Sequence, residues 1–396
     1  MEFISILKNL RWKVELMKVL ILGWEFPPAK TGGLGTHCYE LVKNLGQKGI
    51  QVLLFVPKRF KGVKHNLKNV EIVEVGSSIV STYNATKPET FEEGYGWNFF
   101  KEVEAFNRKC VDLAMKMKFD LIHSHDWISI PAGIELKKRL GKPLVFTVHS
   151  TEYDRTANIY PLKRIVDIEK RGLEEANAII TVSKQMKAQL IDRYQADKRK
   201  INVIYNGIDY TKFLGLTKKD NRKIVLFLGR LTNQKGPYFF LHTAAKVLEK
   251  RKDVLFVVSG EGEQMTELIK IAIGLNIMDN VVFTGYLSDE EMFYAYSIAD
   301  VYVMPSVAEP FGITALEAIA SGTPVIVSKN AGVAEKIMHC FKVDYWDTHE
   351  MANMIISTLE YPVLGECMRR NSYKELGNFG WDKVAEQTIA VYSGVR

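Results

Sequence analysis

Ala308 to Ala320, A-E-P-F-G-I-T-A-L-E-A-I-A, follows an apolar run, Val301 to Met304, that Pro305 ends, and passes into a helical pattern at about Ile313. Read in order, that is a strand, a turn and the N-terminus of a helix. Unpaired N–H groups at such a terminus, with the positive end of the helix dipole, favour an anion. Gly312 lets a bound group come close to the main chain, and Thr314 adds a hydroxyl donor in the first turn, so a phosphate fits this corner. Glu309 lies in the loop and Glu317 one turn into the helix, eight positions later. Both carboxylates are acceptors suited to sugar hydroxyls. Strand, turn and helix with a glycine is also common in any α/β protein, where a first-turn glutamate only complements the dipole. The functional reading therefore needs agreement from other segments.

Upstream, the same scheme recurs. Ile224 to Leu228 reads as a strand, and Gly229-Arg230-Leu231-Thr232-Asn233-Gln234-Lys235-Gly236-Pro237 puts two cations in its loop, with Pro237 suited to a first helical position. Arg230 and Lys235 facing the helix start beyond Gly312 would make an anion-seeking site. Val254 to Ser259 with Gly260-Glu261-Gly262, and Val281 to Thr284 with Gly285-Tyr286, continue the alternation, and Val325 to Val327 reads as the last strand, before Gly332 to Glu335.

The first half carries an independent copy of the pattern. Val19 to Leu22 is a strand, followed by a loop with Lys30, Gly32 and Gly33, a helical stretch through Leu41, Val42 and Leu45, and a strand at Val52 to Val56. That is a parallel βαβ unit whose loop lies at the carboxyl ends of the strands. It matches neither G-x-G-x-x-G nor a P-loop. Asn98 to Lys118 reads as a long helix. D-L-I-H-S-H-D-W, Asp120 to Trp127, then brings His123, His125, Asp126 and Trp127 to a strand end, and Pro143 to Val148 brings His149 to the next. No H-E-x-x-H or comparable spacing favours zinc. Ala178 to Val182 and Ile201 to Ile204 are further strands, and the polar stretch Thr217 to Lys223 reads as a linker. Trp381 to Val395 has the spacing of a helix that packs back on the first domain.

At 396 residues the chain fits two domains rather than one core. The expected division is an extension at 1–16, a first α/β domain at 17–210, a second at 211–378, and a helix at 379–396 that returns to the first domain. Four scattered cysteines without C-x-x-C spacing argue for a reducing, cytoplasmic setting and against a disulfide framework. Residues 1–205 hold 33 Lys+Arg against 23 Asp+Glu, or +10, and 206–396 hold 20 against 23, or −3. The basic half, with no RNA-binding or zinc-finger spacing, excludes a nucleic-acid partner as the main reading. Phe3, Ile4, Leu7, Leu10 and Val14 share one helical face, which suits peripheral contact with a membrane surface.

Taken together, these residues resemble the retaining glycosyltransferases of the GT-B fold, group 1 or family 4. The likeness is carried by Glu309 and Glu317 with Phe311-Gly312 between them, by the G-R-L-x-x-Q-K-G loop at Gly229 to Gly236, and by Tyr205-Asn206-Gly207-Ile208-Asp209. A narrower likeness to glycogen and starch synthases rests on Lys30-Thr31-Gly32-Gly33-Leu34 and His125-Asp126-Trp127, while Ala331 to Glu335 departs from the synthases' G-G-L. The resemblance implies two Rossmann-like parallel-sheet domains facing a cleft, and a UDP- or ADP-linked hexose donor. The expected acceptor is an α-glucan, with a lipid or other small acceptor at a membrane surface as the alternative.

It further implies that Glu309 holds the sugar hydroxyls with amides near Gly312 and Ile313, and that Glu317 takes the ribose. Arg230 and Lys235, with Thr314 beside them, would stabilise the leaving diphosphate; Gly33 and Lys30 would close over the phosphates and Tyr286 would line the base. His149 would contact the sugar, and Asp126 and Trp127 would lie on the acceptor side. No D-x-D triplet occurs, so no metal and no separate cofactor are expected. A glycoside hydrolase using Glu309 and Glu317 would leave the two cations without a phosphate. A sugar-nucleotide epimerase and a non-catalytic sensor are further rivals.

Overall fold

The computed structural model describes residues 17–27, 32–58, 66–76, 97–213 and 222–396. The amphipathic start, Lys30 and most of the basic 58–68 loop lie outside the described residues. Contacts divide the chain into two compact units, one of Met1–Glu152, Pro161–Gly207 and Trp381–Arg396, the other of Tyr153–Tyr160 and Ile208–Gly380.

The first unit is built on seven parallel strands: β1 (Lys18–Leu22), β2 (Gln51–Pro57), β3 (Val70–Val75), β4 (Leu121–His125), β5 (Leu144–Val148), β6 (Ala178–Thr181) and β7 (Ile201–Val203). Their order is β3-β2-β1-β4-β5-β6-β7. Among the described residues, five of the crossovers are helical: α1 (Gly33–Gln47), α2 (Trp97–Ala114), α3 (Asp126–Leu140), α4 (Lys163–Glu175) and α5 (Lys184–Tyr194). The inner strands are apolar runs because helices cover both faces of a parallel sheet. Val19 to Leu22, Leu53 to Phe55 and Leu144 to Phe146 are accordingly buried. β3, V-E-I-V-E-V, is an edge strand with only Val75 fully buried, and its two glutamates hide it in the sequence. The long helix ends at Ala114, earlier than the expected Lys118.

The second unit repeats the design with six parallel strands in the order β10-β9-β8-β11-β12-β13. These are β8 (Lys223–Leu228), β9 (Val254–Ser259), β10 (Val281–Gly285), β11 (Val301–Met304), β12 (Val325–Ser328) and β13 (Phe341–Val343). Lys223, read as linker, opens β8, and the three-residue β13 follows the strand read as last. The helices are α6 (Pro237–Lys250), α7 (Met265–Gly274), α8 (Asp289–Ile298), α9 (Ile313–Ala320), α10 (Thr348–Glu360) and α11 (Pro362–Glu375). Pro237 does take the first turn of α6, where its missing N–H costs nothing. A capping box between Ser288 and Glu291 starts α8.

The helix α12 (Trp381–Val395) belongs to the first unit. Its Trp381, Val384, Ala385 and Tyr392 fall on one face at helical spacing and join Cys38, Leu41, Val42 and Leu45 of α1 in the same buried core. Among the described residues no helix is long and apolar enough to cross a membrane.

Candidate active site

Each sheet reverses its strand order once, between β1 and β4 and between β8 and β11. In open parallel sheets ligands bind outside the carboxyl ends of the strands at such a reversal. The second unit's loops there are Gly229–Gly236, after β8, and 305–312, after β11. Main-chain bonds stitch them together: the Val307 N–H donates to the Gln234 carbonyl at 2.9 Å. Gly236 makes that approach feasible. It sits at φ +68°, and a Cβ there would fall 2.2 Å from the Pro305 carbonyl oxygen.

On this frame the Lys235 ammonium reaches the Glu309 carboxylate at 2.6 Å, with the side chains 22% and 9% exposed. The Ser306 hydroxyl also approaches Glu309, at 3.4 Å. The Glu309 backbone is held by its N–H to the Asn330 carbonyl at 3.2 Å and its carbonyl to the Gly332 N–H at 2.9 Å. Arg230, the second expected cation, donates within its own loop to Gln234 Oε1 at 3.0 Å.

Gly312 precedes α9 at φ +103°, in the left-handed region that a side chain resists. A Cβ at this position would press on Met304 Sδ at 3.0 Å and on Glu309 Cγ at 3.2 Å. In the first turn of α9, the Ile313 and Thr314 N–H groups have no acceptor among the described residues, so this end remains an anion site. Tyr302 Oη lies 2.9 Å from Thr314 Oγ1 and 3.3 Å from the Leu228 carbonyl oxygen, so the phenol anchors the Thr314 side chain between β8 and α9. Buried Tyr296 donates to Glu317 Oε2 at 3.0 Å and its ring stands edge-on to Tyr302 at 5.7 Å. Two tyrosines that sequence reading passed over thus aim the two polar side chains of α9. Tyr286, by contrast, lies beyond the outermost strand β10 and is 62% exposed.

In the first unit β4, β5 and α1 gather four imidazoles. His123 is a core residue, its Nδ1 2.6 Å from Tyr392 Oη and its Nε2 2.6 Å from Thr147 Oγ1. Burial, then the adjacent His37, holds it at about 3. His125 Nδ1 is 2.9 Å from His149 Nε2, and both rings are kept neutral chiefly by burial. His37, on α1, places Nδ1 2.8 Å from Asn206 Oδ1 and is held by burial at about 4. Gly33 is the exposed first residue of α1.

Asp126 Oδ1 accepts from the His149 N–H at 2.7 Å and lies 3.4 Å from the Ser150 nitrogen, from a backbone at φ +56°. That carboxylate fastens the β4 and β5 ends together. Trp127, expected on the acceptor side, is 2% exposed and packs edge-on to Phe99 at 6.0 Å and against Phe100 at 5.9 Å. A ring so enclosed contributes core volume. Trp127→Ala is expected to cost about 3–5 kcal/mol of stability, read by urea unfolding. Trp127→Phe should fold and keep its acceptor KM; a raised acceptor KM in that variant would support the acceptor-side role.

Two Rossmann-like parallel-sheet units, with an acidic and a basic side chain beside an open helix start, define the GT-B class of sugar-transferring enzymes. Residues 31–212 match the model for Glycosyltransferase Family 4, and residues 211–375 that for glycosyl transferases group 1. An uncharacterized glycosyltransferase of Methanocaldococcus jannaschii is 31% identical over 396 positions, covering 95% of this chain and 98% of its own. The glycogen synthase of Mycobacterium tuberculosis is 27% identical, covering 95% and 94%. Among solved structures, sucrose-phosphate synthase from Thermosynechococcus elongatus superposes with a TM-score of 0.78 at 22% identity, over 96% of this chain and 98% of that one. The chain belongs to the group 1, family 4 glycosyltransferases, enzymes that draw on a nucleotide sugar.

Proposed function

We propose that the protein transfers a hexose, glucose foremost, from a UDP- or ADP-linked donor to an α-glucan with retention of configuration. The observation that carries this reading is the Lys235 and Glu309 pair, placed by two stitched loops at the sheet's reversal point, next to the open start of α9. Transfer from a sugar nucleotide builds negative charge on the leaving diphosphate, so fixed cations and amide dipoles aimed at it are the main protein contribution. Lys235, Arg230, Thr314 and the Ile313 amide take that charge. Glu309 grips the migrating sugar and Glu317 the ribose, while Tyr286 serves the base.

The second unit is thus the donor side and the first the acceptor side. There His149 contacts the sugar, Gly33 meets the phosphates, and Asp126 acts by holding the His149 backbone. The α-glucan acceptor is supported by the 27% identity to a glycogen synthase and by the His125-Asp126-Trp127 triplet. A lipid acceptor is the second reading, favoured by the +10 balance of residues 1–205, 33 Lys+Arg against 23 Asp+Glu.

Incubation with UDP-, ADP- or GDP-glucose and maltooligosaccharides tests the proposal. Longer chains and free nucleoside diphosphate are expected; products that stay nucleotide-linked would mark an epimerase, and transfer only to lipid would overturn the glucan assignment. Tyr296→Phe removes the donor to the Glu317 carboxylate, a bond of the kind worth about 1.5–3 kcal/mol. Its donor KM should rise roughly tenfold with kcat little changed. A fall in kcat alone would detach Glu317 from ribose binding.

A further inference from the structure

His37, His125 and His149 come from α1, the end of β4 and the end of β5, yet one ring nitrogen of each lies within 4.8 Å of the other two. His37 is buried, and its Nε2 atom has no hydrogen-bond partner. An unpaired buried nitrogen is costly. With Asn206 Oδ1 accepting from His37 Nδ1 at 2.8 Å, the proton of His37 sits on Nδ1 and the Nε2 lone pair is bare. A carbonyl oxygen that fixes the far nitrogen of an imidazole is the usual support of a metal-ligating histidine. His123, next in the stack, is excluded because both its nitrogens are engaged.

We propose that His37, His125 and His149 form a site for one borderline-soft divalent cation of the zinc class, and that its binding withdraws His149 from sugar transfer. The second clause rests on the role given to His149 above; the first does not. Three neutral imidazoles suit zinc, copper, nickel or cobalt and not magnesium or calcium, which take oxygen ligands. The 2.9 Å between His125 Nδ1 and His149 Nε2 needs to open only to roughly 3.3 Å for two nitrogens at 2.0–2.1 Å around a tetrahedral ion. The cation then replaces the hydrogen bond between these rings. Each imidazole binds through one nitrogen and keeps its proton on the other. His149, the partly exposed member, gives the ion its way in and leaves a fourth position for water.

The ligands are far apart in sequence, which is why no metal-binding spacing reveals them. Such an ion is inhibitory, so the expectation that transfer needs no metal is compatible with it.

The test uses the full chain freed of metal with EDTA and titrated with cobalt(II), then zinc. One equivalent of cobalt should give the visible d–d bands of a four- or five-coordinate nitrogen site, bleached by zinc and untouched by magnesium. Thiolate charge-transfer bands would place the ion on cysteine, and no one-to-one uptake would leave it nowhere; either overturns the site. Asn206→Ala should weaken zinc binding by about 10–100-fold, and an unchanged affinity would count against the site. In the transfer assay zinc should inhibit the parent protein. His37→Gln should keep its rate in EDTA and need at least tenfold more zinc. Cobalt bands together with undiminished transfer would keep the site and overturn the role of His149.

Discussion

Glu309→Ala and Lys235→Ala should each lower turnover by at least about a hundredfold, the range found when a single electrostatic stabiliser is removed from an active site. The two variants are expected to differ in stability. Lys235→Ala leaves a 9% exposed carboxylate without its ammonium partner at 2.6 Å, and an uncompensated buried charge is strongly destabilising. Glu309→Ala leaves an ammonium that is 22% exposed and can turn to water. Because the pair acts as a unit, the double variant should lose much less than the product of the two single losses. Near-normal turnover in either single variant, with the protein folded by circular dichroism, would remove that residue from the chemistry.

Acid should destabilise the first unit from about pH 6.5 down to about pH 3, beginning above the range of ordinary carboxylates. In the folded chain burial keeps His37 at about 4 and His123 at about 3, whereas the unfolded chain protonates its histidines near 6.5. Below 6.5 the unfolded state therefore binds protons that the folded state refuses, and stability falls as pH falls. Above about 6.5 these groups contribute no pH dependence, and their penalties level off below about 4 and about 3. At pH 5 each residue should cost about 2 kcal/mol, from 1.36 kcal/mol per unit over 1.5 units. Urea melts in EDTA at pH 7.5 and 5.0 measure the difference. Equal midpoints would mean that both imidazoles ionise freely in the folded chain.

Much of the fold was legible because its inner strands are uninterrupted apolar runs closed by glycine or proline, as in Val301 to Met304 and Ile224 to Leu228. The elements that escaped are the edges. β3 is interrupted by Glu71 and Glu74, and β13 is three residues long, so neither carries the signal of a strand buried on both faces. The residues proposed for the donor side were readable because Arg230, Lys235, Glu309, Gly312 and Glu317 sit in two short stretches of chain. What supports them was not, since Tyr296 reaches Glu317 and Tyr302 reaches Thr314 from other elements. Trp127 reads as a strand-end aromatic of the acceptor side, and only Phe99 and Phe100 on α2 reveal that its ring is enclosed. His37 had no local sign at all, being one residue of an amphipathic helix.

The return of α12 to the first unit bears on the order in which the chain matures on the ribosome. Trp381, Val384, Ala385 and Tyr392 complete the core around α1, and Tyr392 supplies the hydroxyl beside His123. The sheet that begins at Lys18 therefore emerges first but waits with an open apolar face until residues 381–395 have been synthesised. Most of the second unit, Ile208–Gly380, is contiguous and has all of its strands in hand before then. Nascent-chain proteolysis should accordingly find the later-made sheet protected first, a reversal of the usual N-terminal lead in folding during translation.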